Sequence, residues 1–317
     1  MNTVSDQNYL KTQQYRTGDN LDVRIQLHQR FSTNPTIYFE WMFDQLKLQA
    51  GMKVMEIGCG TGEFWRTNFQ RLPADLNLTL LDLSTGMATT ARSAVNQDAR
   101  FSFAAADAQN LPFNIDHFDA VFANYMLYHV PDIGKAVKEL RRVLAPGGLL
   151  CAASNGTGHL RELKYLLSQF GLQNPDSPAS FARYGLENAP VILGECFEHV
   201  EVIPFADSLF ITETQPLMDY IHSMIGIWDF HSNADTELAT WITAEIAAKG
   251  GFTIHKAGGV VIEIRRAAAK REDGRAASHA SEHALDGVKA DFVINNDGTL
   301  EDLRAAAAML WLMLSKM

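Results

Sequence analysis

The sequence predicts an α/β fold: a doubly wound, mostly parallel sheet with antiparallel strands closing one edge, a helical lid ahead of it and a helical cap inserted late. Three observations carry this. Short apolar runs alternate with helix-period stretches between residues 53 and 154, which is how parallel strands joined by crossover helices read. A glycine-rich turn, IGCGTG at 57–62, follows the first of those runs. Beyond residue 158 the rhythm changes, and VEVIPFADSLFIT (200–212) and FTIHKAGGVVIEIRR (252–266) suit antiparallel strands at the edge of a parallel sheet.

Taken in order, residues 1–20 are polar and read as a flexible arm. Leu21, Ile25, Leu27 and Phe31 then recur at helical spacing. Pro35 suits the start of a second helix carrying Tyr38, Trp41, Met42 and Leu46, and Gly51 stops it. These helices make an N-terminal lid over residues 1–48. KVMEIG (53–58) is the first strand, 62–72 a helix and LTLLDL (78–83) the second strand. Ser84 can cap a helix running through Ala91 and Ala94. FSFAAAD (101–107) and FDAVFAN (118–124) are the third and fourth strands. Val137, Leu140 and Val143 share one face of a helix at 133–144, APGG (145–148) breaks it, and LLCAAS (149–154) is the fifth strand.

Helices near 158–170, 214–226 and 234–249 form a cap insertion at about 158–250 within a core domain of 49–266. The stretch 252–266 reads as two short strands around Gly258 and Gly259. Residues 267–290, rich in alanine, charge and small polar groups, read as a linker. A strand at 291–295, a turn at Asn296, Asp297 and Gly298, and a helix from Thr299 make a C-terminal tail at 291–317.

With 317 residues, 47% hydrophobic and 20% charged, the composition is that of a globular chain. Its formal net charge of −10 gives no overall attraction to nucleic acid or anionic membrane, and neither is expected as a partner. Cys59, Cys151 and Cys196 lie far apart, which suggests neither a disulfide framework nor a metal site. The polar N-terminus and the lack of roughly 18 consecutive apolar residues point to a cytoplasmic setting.

The glycines need a ligand that approaches the main chain at the carboxyl edge of the sheet. A dinucleotide fingerprint would require a glycine where Glu63 stands, and a carboxylate there repels pyrophosphate. No phosphate-cradling P-loop occurs either. Asp82 ends the second strand, placed to take both hydroxyls of a ribose. The pattern Glu56-x-Gly58-x-Gly60-x-Gly62 resembles the first motif of the class I S-adenosylmethionine (SAM)-dependent methyltransferases, a Rossmann-like family. AADAQNLPF (105–113), FDAVFANYMLYHV (118–130) and LAPGGLL (144–150) resemble its later segments, so the likeness covers roughly residues 50–155. SAM carries an ammonium and a sulfonium and no phosphate, which suits an acidic loop.

The resemblance implies SAM as cofactor. Glu56, Gly58, Cys59, Gly60 and Gly62 would surround its amino-acid end. Asp82 would hold the ribose, Asp107 and Ala108 the adenine, Asn124 would face the cofactor, and Leu83 and Met87 would also bind it. Helices ahead of the core resemble the family's lids, which makes Tyr15, Arg24, His28 and Phe31 lid candidates. The alternative is that Phe31 and Trp41 are plain core and His28 a surface group.

Methyl transfer from a sulfonium asks the protein for alignment and dryness more than for a base. If a base exists, His129 is the first candidate, with Tyr125 and Tyr128 flanking the methyl path. A packing or capping role for His129 is the competing reading. Asn155 and His159 lie near the same edge. Phe205, Phe210, Tyr220, Met224, Ile227, Trp228 and Phe230 lend the cap an apolar character that suits a small-molecule acceptor, aromatic or apolar in part. Asn124-Tyr125-Met126-Leu127 lacks the Pro-Pro pair common in nucleobase methyltransferases. A protein or RNA acceptor, and a non-catalytic SAM sensor, are the alternatives. HALDGVKADFVINNDGTLEDL (283–303) weakly resembles the end of P-loop nucleotide kinases. Without a P-loop it implies no kinase activity but rather a packing role, or a homo-oligomer contact.

Overall fold

The computed structural model describes residues 3–46, 48–96, 98–172, 182–197, 199–224, 233–265 and 292–295. Among the described residues one sheet of eight strands runs in the order β3 (Phe101–Ala105), β2 (Asn77–Asp82), β1 (Lys53–Ile57), β4 (Phe118–Phe122), β5 (Leu144–Ser154), β7 (Phe252–Arg265), β6 (His199–Ile211) and β8 (Phe292–Asn295). Its parallel half is β1, β2, β3, β4 and β5. The strands β6, β7 and β8 continue it antiparallel. Strand order reverses between β1 and β4, and a doubly wound sheet opens its crevice at that switch point.

Alternate residues of each strand serve opposite faces. Met55 and Ile57 of β1 pack on one side with Val121 and with Val137 and Leu140 of α5 (Ile133–Val143). Val54 faces the other side with Leu78, Phe122 and Trp65. Glu56 shares that second face by periodicity, which buries a carboxylate in an apolar layer. A third cluster joins Leu27 and Phe31 of α1 (Asp19–Phe31) to Leu163, Leu209, Ile221 and Leu238.

The other helices are α2 (Tyr38–Leu46), α3 (Glu63–Thr67), α4 (Thr85–Ala94), α6 (Arg161–Gln169), α7 (Ala189–Gly194), α8 (Thr214–His222) and α9 (Ala234–Lys249). Ser84 caps α4 as expected, its hydroxyl accepting from the Met87 amide. Among the described residues no helix is long and apolar enough to cross a membrane.

Three expectations need correcting. The helix read at 62–72 stops at Thr67 and resumes as a 3-10 turn at Phe69–Arg71. Buried Asn68 ends it, its Nδ2 donating to the carbonyls of Phe64 (2.9 Å) and Phe39 (3.0 Å). The stretch 252–266 is one continuous strand, because β6 pairs along its whole length and β5 along its second half. The glycines sit at a bulge, where Ala257 and Gly258 of β7 stand opposite the single residue Ala206 of β6, and the strand continues through it. The first residues are not a free arm. A 3-10 turn (Thr3–Ser5), a helical turn (Gln7–Tyr9) and a π-helical turn (Leu10–Gln14) fold against the core and bury Val4, Leu10 and Gln14. Ile227, Trp228 and Phe230, the 267–290 linker and the tail helix from Thr299 lie outside the described residues.

Candidate functional site

The site begins where β1 ends. Gly58 and Gly60 take left-handed backbone, φ +74° and +54°, which glycine adopts without steric cost. A Cβ on Gly58 would stand 2.7 Å from Met126, and one on Gly60 2.9 Å from Leu21 of α1. The loop is thus pressed between β4's exit and α1. The Gly58 and Cys59 amides both donate to the Leu81 carbonyl, at 2.7 and 2.9 Å. Asp82 completes the tie: Oδ2 accepts from the Gly60 amide (3.0 Å) and Oδ1 from the Ser84 amide (2.8 Å). Burial pushes the Asp82 carboxyl up, while these amides pull it down.

Glu56 is 2% exposed. Its Oε2 accepts from the Trp65 indole (2.5 Å) and its Oε1 from Asn124 Nδ2 (2.9 Å). Burial raises its carboxyl to about 7 against those two bonds. Asn124 Nδ2 is committed to Glu56, so Asn124 Oδ1 faces away from it, buried and without a hydrogen-bond partner. An unpaired acceptor beside a buried carboxylate fits an incoming ammonium.

Asp107 follows β3. Burial raises its carboxyl, but bonds from the Gln109 amide (2.9 Å), Gln7 Nε2 (2.8 Å) and the Gln109 side chain, with the Lys135 charge, hold it below the usual range. Gln7 reaches it from the N-terminal arm. The arm also fixes His129, whose Nδ1–H donates to the Val4 carbonyl (2.7 Å) while Nε2 accepts from the Tyr15 hydroxyl (3.1 Å). Burial lowers His129 to about 4, so the ring is neutral near pH 7. Tyr125 holds φ +53°, a strained region for a tyrosine. Its amide donates to the Ala153 carbonyl (2.9 Å), and its ring lies 6.0 Å from that of Tyr38.

These groups border one cavity of about 850 Å³. Every predicted cofactor and catalytic residue lines it except Gly62, which sits behind the loop, where an added Cβ would come 3.1 Å from Ala91. Phe205, Tyr220 and Met224 line it too. Phe210 does not; it is 43% exposed on β6, because it alternates with the inward Phe205-to-Ile211 set.

Beyond the glycine loop, β6 and β7 overshoot the parallel strands. Ser154, the end of β5, pairs with Val260, and residues 252–259 run on against 205–211. This overshoot forms a back wall with His28, His159, Lys256 and Asp207. The sequence reading missed Lys256, Asp207 and Gln7. Charged residues inside two long alternating strands were the available signal for the first pair; Gln7 in a polar arm offered none. Among the described residues no group of His, Cys, Asp or Glu is placed to hold a metal ion.

Residues 55–152 match the family described as Methyltransferase domain. The chain is 33% identical over 117 residues to Methyltransferase GfsG of Streptomyces halstedii, covering 36% of this chain and 41% of that one. It is 27% identical over 134 residues to a demethylmenaquinone methyltransferase of Staphylococcus epidermidis, covering 42% and 56%. The chain thus spans about half the length of the curated relatives it matches. Its fold is similar to phosphoethanolamine N-methyltransferase 2 of Haemonchus contortus, solved with S-adenosyl-L-methionine, with TM-score 0.51, 21% identity, and coverage of 82% and 60%.

Proposed function

We propose, from the match of residues 55–152 to the Methyltransferase domain family and from the geometry of the cavity, that the protein moves a methyl group from SAM to a small-molecule acceptor that is apolar in part. The observation that carries this reading is the acidic end of the cavity. There the unpaired Asn124 Oδ1 and buried Glu56 stand beside a glycine loop tied to Asp82. Glu56 and Asn124 would hold the cofactor's ammonium, Asp82 its ribose hydroxyls, and Asp107 with the Ala108 backbone its adenine. When bound, SAM supplies a methyl carbon on a sulfonium, a leaving group already activated by its charge.

The chain's own work is then alignment and exclusion of water. The arm closes one side through Gln7, Tyr15 and Val4. Tyr125 and Tyr128 border the path from β4's exit. His129 has both ring nitrogens committed, so we read it as the latch that holds the arm rather than as a base. An acceptor that is a neutral amine or an ionised oxygen needs no base at all. The apolar lining and the demethylmenaquinone relative favour a small, partly apolar acceptor over nucleic acid.

The test is transfer of labelled methyl from SAM into fractionated cell extract, with Asp82→Ala as control. Label in low-mass products, absent with the variant, is the expected result. Label in protein or RNA would replace the acceptor class. SAM binding with no label in any fraction would favour a sensor.

A further inference from the structure

We propose that the back wall of the cavity is an anion subsite, and that the methyl acceptor carries a carboxylate or phosphate held there by His28, His159 and Lys256. This rests on the methyltransferase reading and narrows its substrate class. β7 lies three strands from β1 in the sheet, on the order of 14 Å at about 4.8 Å per strand. The subsite is therefore separate from the glycine loop.

Two imidazole nitrogens there have no partner. His159 is 7% exposed, and its Nδ1 and that of His28 are buried without a hydrogen bond. The rings stack with centroids 6.1 Å apart. Buried polar atoms left unpaired are costly and uncommon. Two of them side by side, lining a cavity, mark a place for a hydrogen-bonding ligand.

Lys256 gives that ligand its sign. Nζ lies 2.5 Å from Asp207 Oδ2. Asp207 also accepts from the Ser32 hydroxyl (2.8 Å), the Asn34 amide (3.1 Å) and the Ser208 amide (2.7 Å). Its charge is spread over several donors. Among the described residues Asp207 is the one bonded partner of Lys256, which leaves ammonium N–H groups for a ligand. Arg24 and Lys164 border the same cavity, Arg24 anchored to Ser223 and Lys164 to the Thr157 carbonyl. Lys164 is also faced by Glu187, so Lys256 and Arg24 are the cations that set the sign beside Asp207. After burial, the Lys256 charge is the largest influence lowering His28 to about 3, which reports the same positive potential. A purely structural ion pair would account for Lys256 and Asp207 but not for the two unpaired imidazoles. Ile25, Leu160, Leu163 and Phe205 line the approach, so the anionic group belongs to a molecule with an apolar body.

Three probes test this by calorimetry on the full chain, with and without S-adenosylhomocysteine: phenyl phosphate, phenylacetate and neutral phenethyl alcohol. One anion is expected to bind at least about tenfold more tightly than the alcohol. The preferred anion then decides between phosphate and carboxylate. His159→Phe and Lys256→Met should each weaken that anion about tenfold and leave the alcohol unchanged. Lys256→Met orphans Asp207 and can impair folding, so His28→Asn provides a second, neutral substitution. Equal binding of alcohol and anions, no anion binding at millimolar concentration, or indifference to the histidine variants would overturn the proposal. Failure of S-adenosylhomocysteine to bind would instead strike the methyltransferase reading, and the titrations without it keep the anion result readable.

Discussion

Glu56 shows how one carboxylate ties stability to pH. Its native carboxyl sits near 7, above the ordinary 4.5. Between those values the folded state holds a proton that the unfolded chain has released. Stability therefore falls as pH rises through this window and levels off above about 7. Glu56→Gln removes the penalty and should raise stability at pH 8 by on the order of 2 kcal/mol, with little effect near pH 4. The same change deprives the cofactor's ammonium of its counter-charge, so SAM affinity should drop about tenfold or more. Urea unfolding at both pH values and a SAM titration check the two halves. A variant less stable at pH 8 would contradict the account. Gly58→Ala makes a sharper demand, since the new Cβ meets Met126 at 2.7 Å on left-handed backbone. A loss of about 1–3 kcal/mol in unfolding free energy is expected. Glu56, Gly58 and Asp82 were legible because alternating glycines and two carboxylates stand at the ends of neighbouring apolar runs. The strained Tyr125 was not, since its backbone is set by the Ala153 carbonyl of β5, far away in sequence.

Among the elements, the parallel strands were legible because period-two and helix-period patterns alternate at short range. The N-terminal arm was not, because its burial rests on Val4, Leu10 and Gln14 scattered in a polar stretch. Its anchors, Asp107 and His129, come from the ends of β3 and β4. Deleting residues 1–17 should leave the sheet folded but weaken SAM binding. It should also let the His129 pKa rise from about 4 toward 6.5, as the ring regains water. Imidazole titration by NMR reads this. An unmoved His129 would show that its burial does not depend on the arm. β7 was read as two strands because glycine pairs look like punctuation, and only the register of β6 reveals otherwise.

Across the whole molecule the sheet runs on past its parallel half, and β8 covers the outer edge of β6 through His199–Val202. Cutting the chain after Arg266 exposes that edge, and an open edge invites pairing with another copy. The truncated chain should keep SAM binding and self-associate in sedimentation velocity; a strictly monomeric product would make β8 dispensable. The arm reaches both halves of the molecule. Gln7 and Val4 touch the ends of the parallel strands, while Gln14 Nε2 donates to the Ser223 carbonyl of the cap at 3.1 Å. On the proposed function, displacing the arm would open the cofactor and acceptor ends of the cavity together. Donor exchange would then be gated, and a loaded donor would be committed to the acceptor that shares its closure. In an isotope-partitioning pulse–chase, most pre-bound label should appear in product despite a large excess of unlabelled donor. Complete dilution of the label would mean that the donor leaves freely beneath a closed arm.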